Sequence, residues 1–423
     1  MSDNIVKVSR NTENAPKNLS STQSVAFSHY NNISAQLPID PETGAVVTGG
    51  IKNQTKQCLE NIKAIIESIN HVMDDVVKIN IFLTNISDID AVEAVYKSFF
   101  QNYLPTRTTV AVSALPAENA LLQIDAIISN GEGTPPQQPC DLLKAAKNTK
   151  AAPQSSSSTQ TVAFSHYNNI SAQLPIDPES GELVTGGVKA QTAQCLKNLK
   201  AILESIDVPF DDIVKINIFL RNITDVDVDA VNEVYTTFFP DSAIARAAAY
   251  VPARTIISAS GLPLDALVQI DAVVSHGDGT PPQAVEDRHG IVIRAHNTER
   301  APRSSLSTQT VAFSHYNHLS GQLPLDPGTG GMVAGGAKEQ AGQCLQNIKA
   351  IIESTDHVMD DIVKVTIQVK NIADIDSINE VYTTFFESDL PARTTIGVSA
   401  IPEGALVQID AVLSNGEGTP PSP

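Results

Sequence analysis

The sequence lacks the features that would mark a nucleic-acid-binding, membrane or secreted protein. Its formal net charge is −19, whereas nucleic-acid binding draws on clustered Lys and Arg that neutralise phosphates. No uninterrupted apolar run approaches the roughly 18 residues of a membrane helix, and residues 1–10 carry charges without the apolar stretch of a secretory signal. We therefore expect a soluble, cytoplasmic protein without nucleic-acid or membrane partners.

Cysteine is also scarce, with four in the chain. Cys58, Cys195 and Cys344 occupy the same position of a helix that is predicted three times, and Cys140 lies in a linker. One cysteine in each copy is more naturally a small buried apolar group than half of a disulfide framework.

The common motifs of nucleotide and metal sites are absent too. There is no Gly-rich phosphate loop after a strand, no Cys-x-x-Cys, no His-Glu-x-x-His and no nucleophile elbow. We therefore expect no cofactor and no catalytic metal. His29, His166 and His315 recur and could in principle meet on a threefold axis as zinc ligands, but a histidine beside a hairpin turn is more often solvated or a capping residue.

What the sequence does contain is a threefold internal repeat. The segment 21–32 returns from Ser158 with one change and from Ser307 with two, and the repeated cysteines lie 137 and 149 residues apart. One third of 423 residues falls within the roughly 100–200 residues of a single domain. The predicted domains are 1–136, 137–285 with an insertion near 240–251, and 286–423. Copies packed about a pseudo-threefold axis would present any boundary site three times.

Hydrophobic periodicity predicts an α+β fold for each copy, in the order β-β-α-β-α-β-β. In the first copy a hairpin with its turn at 30–33 precedes an amphipathic helix from Ile51, and alternating strands are expected at 77–83, 107–114 and 121–129. Helices on one face of each sheet leave the other face to be buried against the sister copies. We expect an intramolecular pseudo-trimer with its sheets inward and its helices outward.

A Pro-x-Arg motif recurs at the mouth of an apolar strand in each copy. It places Arg107, Arg254 and Arg393 at equivalent positions. A planar guanidinium suits a carboxylate ligand. A structural ion pair with an acidic side chain is the alternative, and the spacing does not decide between the two.

The copies resemble the reactive-intermediate deaminase family, RidA/YjgF, over nearly all of their length. In the first copy the resemblance is carried by residues 15–17, 36–44, 57–66, 75–78, 95–100, 105–107 and 124–126. It implies a chorismate-mutase-like fold, a trimer with sites in clefts between neighbours, and cofactor-free hydrolysis of enamines or imines such as 2-aminoacrylate to keto acid and ammonia. It also implies that the three arginines grip the substrate carboxylate.

Four positions of the family pattern are altered here. The family's active deaminases have a last-strand glutamate that helps position water, and this chain has Gln123, Gln269 and Gln408. Near the place of a cleft tyrosine stand Ser21, Ser158 and Ser307. The residue two positions after the arginine, commonly cysteine, is Thr109, Ile256 and Thr395. A second-helix asparagine matches Asn232 and Asn379 but is Glu93 in the first copy.

Because a carboxamide can orient water but cannot act as a general base near neutral pH, two main functions stay open. The first is a RidA-like deaminase in which the three glutamines position water and the arginines, serines, asparagines and threonines bind substrate. The second is a non-catalytic binding module for small carboxylates or keto acids, and a protective, chaperone-like role is a weaker third. Either way we expect one chain to act alone as a pseudo-trimer, with one site altered by the insertion in the second copy.

Overall fold

The computed structural model describes residues 5–131, 133–135, 143–221, 223–239, 250–276, 280, 293–416 and 419. Cys140, nearly all of the insertion predicted near 240–251 and both predicted domain boundaries, after residues 136 and 285, lie outside the described residues. The boundaries and the effect of the insertion therefore stay predictions.

Each repeat forms one six-stranded mixed sheet with two α-helices. The first repeat comprises β1 (Val8–Arg10), β2 (Ser24–Phe27), β3 (Tyr30–Gln36), α1 (Gly50–Glu67), β4 (Val76–Leu83), α2 (Ile89–Tyr96), β5 (Thr106–Ala111) and β6 (Leu122–Ser129). The second comprises β7 (Ala145–Lys147), β8 (Thr161–Phe164), β9 (Tyr167–Gln173), α3 (Gly187–Glu204), β10 (Ile213–Arg221), α4 (Asp225–Phe238), β11 (Ala253–Ala259) and β12 (Val268–Ser275). The third comprises β13 (Arg294–His296), β14 (Thr310–Phe313), β15 (Tyr316–Leu319), α5 (Ala337–Glu353), β16 (Ile362–Val369), α6 (Ile375–Tyr382), β17 (Ala392–Gly397) and β18 (Val407–Ser414).

The strand order of the first sheet is β1-β2-β3-β6-β4-β5, and the other two sheets are equivalent. Only the β4–β5 pair is parallel, and the remaining pairs are antiparallel. The predicted α+β class and the order of the five main strands and two helices are confirmed. The three-residue strand that begins each repeat (β1, β7 and β13) was not predicted, because three residues are too few to show an alternating pattern.

The predicted hairpin turn was misplaced by three residues. The chain turns at Ser28 and His29, where Ser28 adopts a φ of 50°, and Asn31 and Asn32 already pair with β2 as part of β3. An asparagine pair tolerates positive φ and so suggested the turn, but serine takes the left-handed conformation here.

The helices cover one face of each sheet and enclose a separate apolar core in each repeat. In the first repeat, α1 buries Cys58, Leu59 and Ile62 against Ile79 and Ile124. Cys58, Cys195 and Cys344 are free and fully buried, as predicted, and burial raises the pKa of each thiol. None of the described helices is long and apolar enough to cross a membrane.

The other face of each sheet packs against the sheets of the sister repeats. One apolar cluster there draws on all three repeats, and its three tyrosines lie with ring centroids 6.0 to 6.1 Å apart. Each tyrosine hydroxyl donates a hydrogen bond to a backbone carbonyl of another repeat: Tyr30 to Phe164, Tyr167 to Phe313, and Tyr316 to Phe27. The contacts therefore run from the first repeat to the second, the second to the third, and the third back to the first.

Buried ion pairs follow the same cyclic direction around a central cavity of about 140 Å³. The lysine Nζ to aspartate Oδ2 distances are 3.1 Å for Lys78–Asp271, 3.7 Å for Lys215–Asp410 and 3.0 Å for Lys364–Asp125. Removing one partner of a buried pair leaves an uncompensated charge and typically costs about 3–5 kcal/mol. The pairs therefore tie the register of each sheet to that of its neighbour.

The repeated histidines, expected to be solvated or capping residues, are at least partly buried. His29 is buried, and His166 and His315 are half-buried. The His29 and His166 rings make edge contacts with Phe164 and Phe313 of the following repeat. Their burial was not expected because it comes from a sister repeat, which the hairpin tip contacts. Among the described residues, no group of three His, Cys, Asp or Glu side chains is placed to hold a metal ion.

His318 makes acid stability a testable property of this interior. It stands in the third repeat where Asn32 and Asn169 stand in the others, and it lines the central cavity. Burial, together with Lys215 and Lys78, lowers its pKa to about 3. The unfolded chain, with a histidine pKa of about 6.5, therefore binds protons that the folded chain does not, and stability falls as the pH drops below about 6.5.

We expect His318→Asn to remove this contribution. Between pH 7.5 and 4.5 the variant should lose about 2–3 kcal/mol less of its free energy of unfolding than the wild type, measured by denaturant unfolding at both pH values. The reverse change, Asn32→His, should increase the loss. Other titrating groups, such as His29 with its pKa lowered to about 4 mainly by burial, are common to all three proteins. Equal acid losses in all three would contradict this account of the cavity.

Candidate functional site

The three arginines of the Pro-x-Arg motif lie at seams between repeats. Each occupies the second position of its strand, β5, β11 or β17, and these strands pack beside β9, β15 and β3 of the next repeat. Each arginine backbone N–H donates to a serine Oγ across the seam, with N–O distances of 2.9 Å for Arg107–Ser171, 2.9 Å for Arg254–Ser320 and 2.8 Å for Arg393–Ser34. The seam therefore fixes the backbone from which each guanidinium extends.

Each guanidinium lies over the ring of a buried tyrosine from its own second helix. The distance from Cζ to the ring centroid is 5.6 Å for Arg107 over Tyr96, 4.9 Å for Arg254 over Tyr235 and 4.7 Å for Arg393 over Tyr382. Burial lowers the pKa of Arg254 and of Arg393, but guanidinium remains charged in proteins. A desolvated cation resting on an aromatic face is well placed to receive an anion.

The third–first cleft, named for the repeats that line it, brings together one residue of each predicted kind. Arg393, Asn379 and Thr395 face Ser21 and Gln123 across a space of about 300 Å³. Arg393 donates from Nη1 to Asn379 Oδ1 at 2.7 Å and from Nε to Thr395 Oγ1 at 2.8 Å. Gln123 donates from Nε2 to the Thr395 carbonyl at 2.7 Å. Among the described residues the second terminal nitrogen of Arg393, Nη2, has no protein partner.

The second–third cleft has the same plan in a space of about 440 Å³. Arg254 donates from Nη1 to Asn232 Oδ1 at 2.9 Å, and Ser307 and Gln408 line the opposite wall. Gln408 differs from its counterpart in the first repeat, because its Oε1 is buried without a partner in the described structure. Gly321 lies against it: a Cβ there would be 2.1 Å from Gln408 Nε2.

The first–second cleft is different. Arg107 Nη2 lies 2.5 Å from Glu93 Oε1, so the guanidinium is paired with a carboxylate of its own repeat. Ser157 of the second repeat also donates to Glu93 Oε1, at 2.8 Å. Spacing alone left an ion pair open for all three arginines, and among the described residues only Arg107 forms one. Ser158 is half-buried and Gln269 is buried on β12.

Two sets of positioning residues were not predicted from the sequence. They are the seam serines Ser34, Ser171 and Ser320 and the tyrosines under the guanidinium groups. Both sets are identical in the three copies, but so are many core positions. Only the pairing of each arginine strand with the next repeat reveals their place.

The fold defines a chain of three α+β domains whose seams carry arginine-containing clefts. The family model described as Endoribonuclease L-PSP, the RidA/YjgF family, matches residues 12–129, 149–276 and 298–414. The chain belongs to this family, as predicted, with three tandem copies.

Single-copy proteins provide the other comparisons. A RutC family protein of Pyrococcus horikoshii is 42% identical over 117 residues, which are 27% of this chain and 92% of that protein. The 2-iminobutanoate/2-iminopropanoate deaminase of Rattus norvegicus is 33% identical over 130 residues, 30% of this chain and 95% of that protein. The crystal structure of E. coli TdcF with bound serine is 31% identical, covers 29% of this chain and 98% of that chain, and aligns with a TM-score of 0.28.

Proposed function

We propose that the protein hydrolyses small carboxylate-bearing imines or enamines in clefts between its repeats. The observation that carries the proposal is a guanidinium at each of two seams, half-buried for Arg254 and buried for Arg393. Each is held by an asparagine and a tyrosine face and lines a cleft large enough for a small acid. Relatives named 2-iminobutanoate/2-iminopropanoate deaminase support the reaction class. The proposal keeps the cytoplasmic location expected from the sequence.

In this proposal Arg254 and Arg393 bind the substrate carboxylate and set the position of the adjacent carbon–nitrogen double bond. An enamine first takes up a proton on carbon to become the imine. Water then adds to the imine carbon, and the resulting carbinolamine releases ammonia to leave the keto acid. Gln408 and Gln123 contribute by orienting water through hydrogen bonds. Neither supplies a general base, so the rate rests on the binding geometry and on the reactivity of the imine itself.

A non-catalytic binding module is the second candidate, and the glutamines are the specific observation that favours it. Gln123 donates a hydrogen bond from Nε2 to the backbone carbonyl of Thr395. This contact is expected of a residue that joins two repeats as much as of one that orients water. The same arginines would then hold a small carboxylate or keto acid without turnover. The name of the family model points to RNA cleavage, but the net charge of −19 does not suit a polyanion.

We further propose that one chain is the complete functional unit. Covalent linkage replaces a bimolecular assembly step by an intramolecular one at high effective concentration. We expect light scattering to give the mass of one chain in solution, under conditions in which the protein still binds ligand. An obligate trimer of chains would contradict this part of the proposal.

The catalytic proposal is tested by following ammonia and keto-acid formation while 2-aminoacrylate is generated in situ. The protein should accelerate both over buffer, and the double variant Arg254→Ala/Arg393→Ala should lose the acceleration, because each substitution removes a charged hydrogen-bond donor worth about 1.5–3 kcal/mol. Arg10→Ala, an exposed arginine on β1, is the control.

Calorimetry with 2-oxobutyrate separates the two candidates. No acceleration by the wild type, with 2-oxobutyrate still bound, would establish the binding module instead of the enzyme. Full affinity in the double arginine variant would show that the anchor assignment is wrong.

A further inference from the structure

Resting on the proposed function, we propose that Glu93 closes the first–second cleft to carboxylates, so that one chain binds two carboxylate ligands and not three. Glu93 would act as a built-in competitor that occupies the guanidinium of Arg107 in place of a ligand. It would thereby determine how many of the three seams are binding sites.

The geometry of Arg107 is the first observation. Its Nη2 is 2.5 Å from Glu93 Oε1, and its Nη1 is buried without a partner among the described residues, so a ligand cannot reach that nitrogen from solvent. The contact to the strand also differs. Thr109 Oγ1 is buried without a partner among the described residues, whereas the equivalent Thr395 accepts a hydrogen bond from Arg393 Nε.

Residues around Glu93 are the second observation. Ser157 of the second repeat donates to the carboxylate, and the equivalent residue is also serine, Ser20, in the first repeat but Leu306 in the third. Lys97, one turn after Glu93, donates from Nζ to Ser156 Oγ across the seam at 3.0 Å. The other copies have Thr236 and Thr383 in place of the lysine.

These groups keep Glu93 ionised. Burial alone would raise its pKa, but the hydrogen bond and charge of Arg107, helped by Ser157 and Lys97, hold the pKa of Glu93 below its ordinary value. A ligand carboxylate would have to displace this intramolecular partner or lie beside a second negative charge, and carboxylates that share a site repel each other. At neutral pH the first–second cleft therefore offers no net positive charge at its arginine.

The other two clefts lack this compensation. Asn232 and Asn379 accept the same kind of hydrogen bond as Glu93 but carry no charge. Other charged residues lining those clefts are exposed on the rim, where water and salt weaken their effect. They are Asp229, Arg303 and Glu403 in one cleft, and Lys17 and Asp376 in the other.

The test is a calorimetric titration of the full chain with 2-oxobutyrate at neutral pH. The wild type should bind two molecules per chain. Glu93→Asn introduces the residue of the other two copies and should raise the number to three, and Glu93→Gln, which keeps the shape of the side chain, should act in the same direction. Asn379→Glu is the matched reverse change and should lower the number from two to one.

Circular dichroism would establish that each variant is folded. If only one of the two Glu93 variants folds, that variant is sufficient for the test. Three equivalent sites in the wild type would overturn the inference while leaving the proposed function intact. So would an unchanged number of two in a folded Glu93 variant. No binding by the wild type would contradict the proposed function itself and this inference with it, so the two failures are distinguishable.

Discussion

A hydrogen bond across each seam, from the backbone N–H of an arginine to a serine of the next repeat, is the interaction on which the candidate site depends. It joins the edge strand of one sheet to the neighbouring sheet at the point where the guanidinium extends. The guanidinium then lies over the ring of a buried tyrosine. A repeat on its own would present the arginine but only one wall of the cleft. The packing of the repeats therefore determines the geometry of the binding site.

The interior that holds the seams together is polar as well as apolar. Tyrosine hydroxyls and buried lysine–aspartate pairs link each repeat to the next in one direction around the central cavity. Apolar packing alone tolerates small shifts in register, whereas a buried charge that loses its partner is costly. Tandem fusion then allows the copies to diverge one at a time. His318 in the cavity and Glu93 at a seam are two such changes, and neither could be confined to one position in a trimer of identical chains.

The sequence predicted much of the fold, because three copies repeat the same periodic pattern. The helix around Cys58 and the strand from Val77 to Leu83 were recognised from their spacing. The three-residue β1 was missed because it is too short for any period, and the hairpin turn was misplaced because Asn31 and Asn32 are residues typical of turns. For the cleft, only the types of residue and their sequence positions were predicted. The sequence shows that Asn379 and Glu93 stand at equivalent positions, but the contact of each with its arginine and the buried Nη1 of Arg107 depend on packing.

The most direct test of the central claim is a crystal structure of the full chain soaked with 2-oxobutyrate. The account predicts the ligand in the second–third and third–first clefts, with its carboxylate hydrogen-bonded to the guanidinium groups of Arg254 and Arg393 and with both neighbouring repeats in contact with it. A ligand bound wholly within one repeat or in the central cavity, with both guanidinium groups uninvolved, would contradict it.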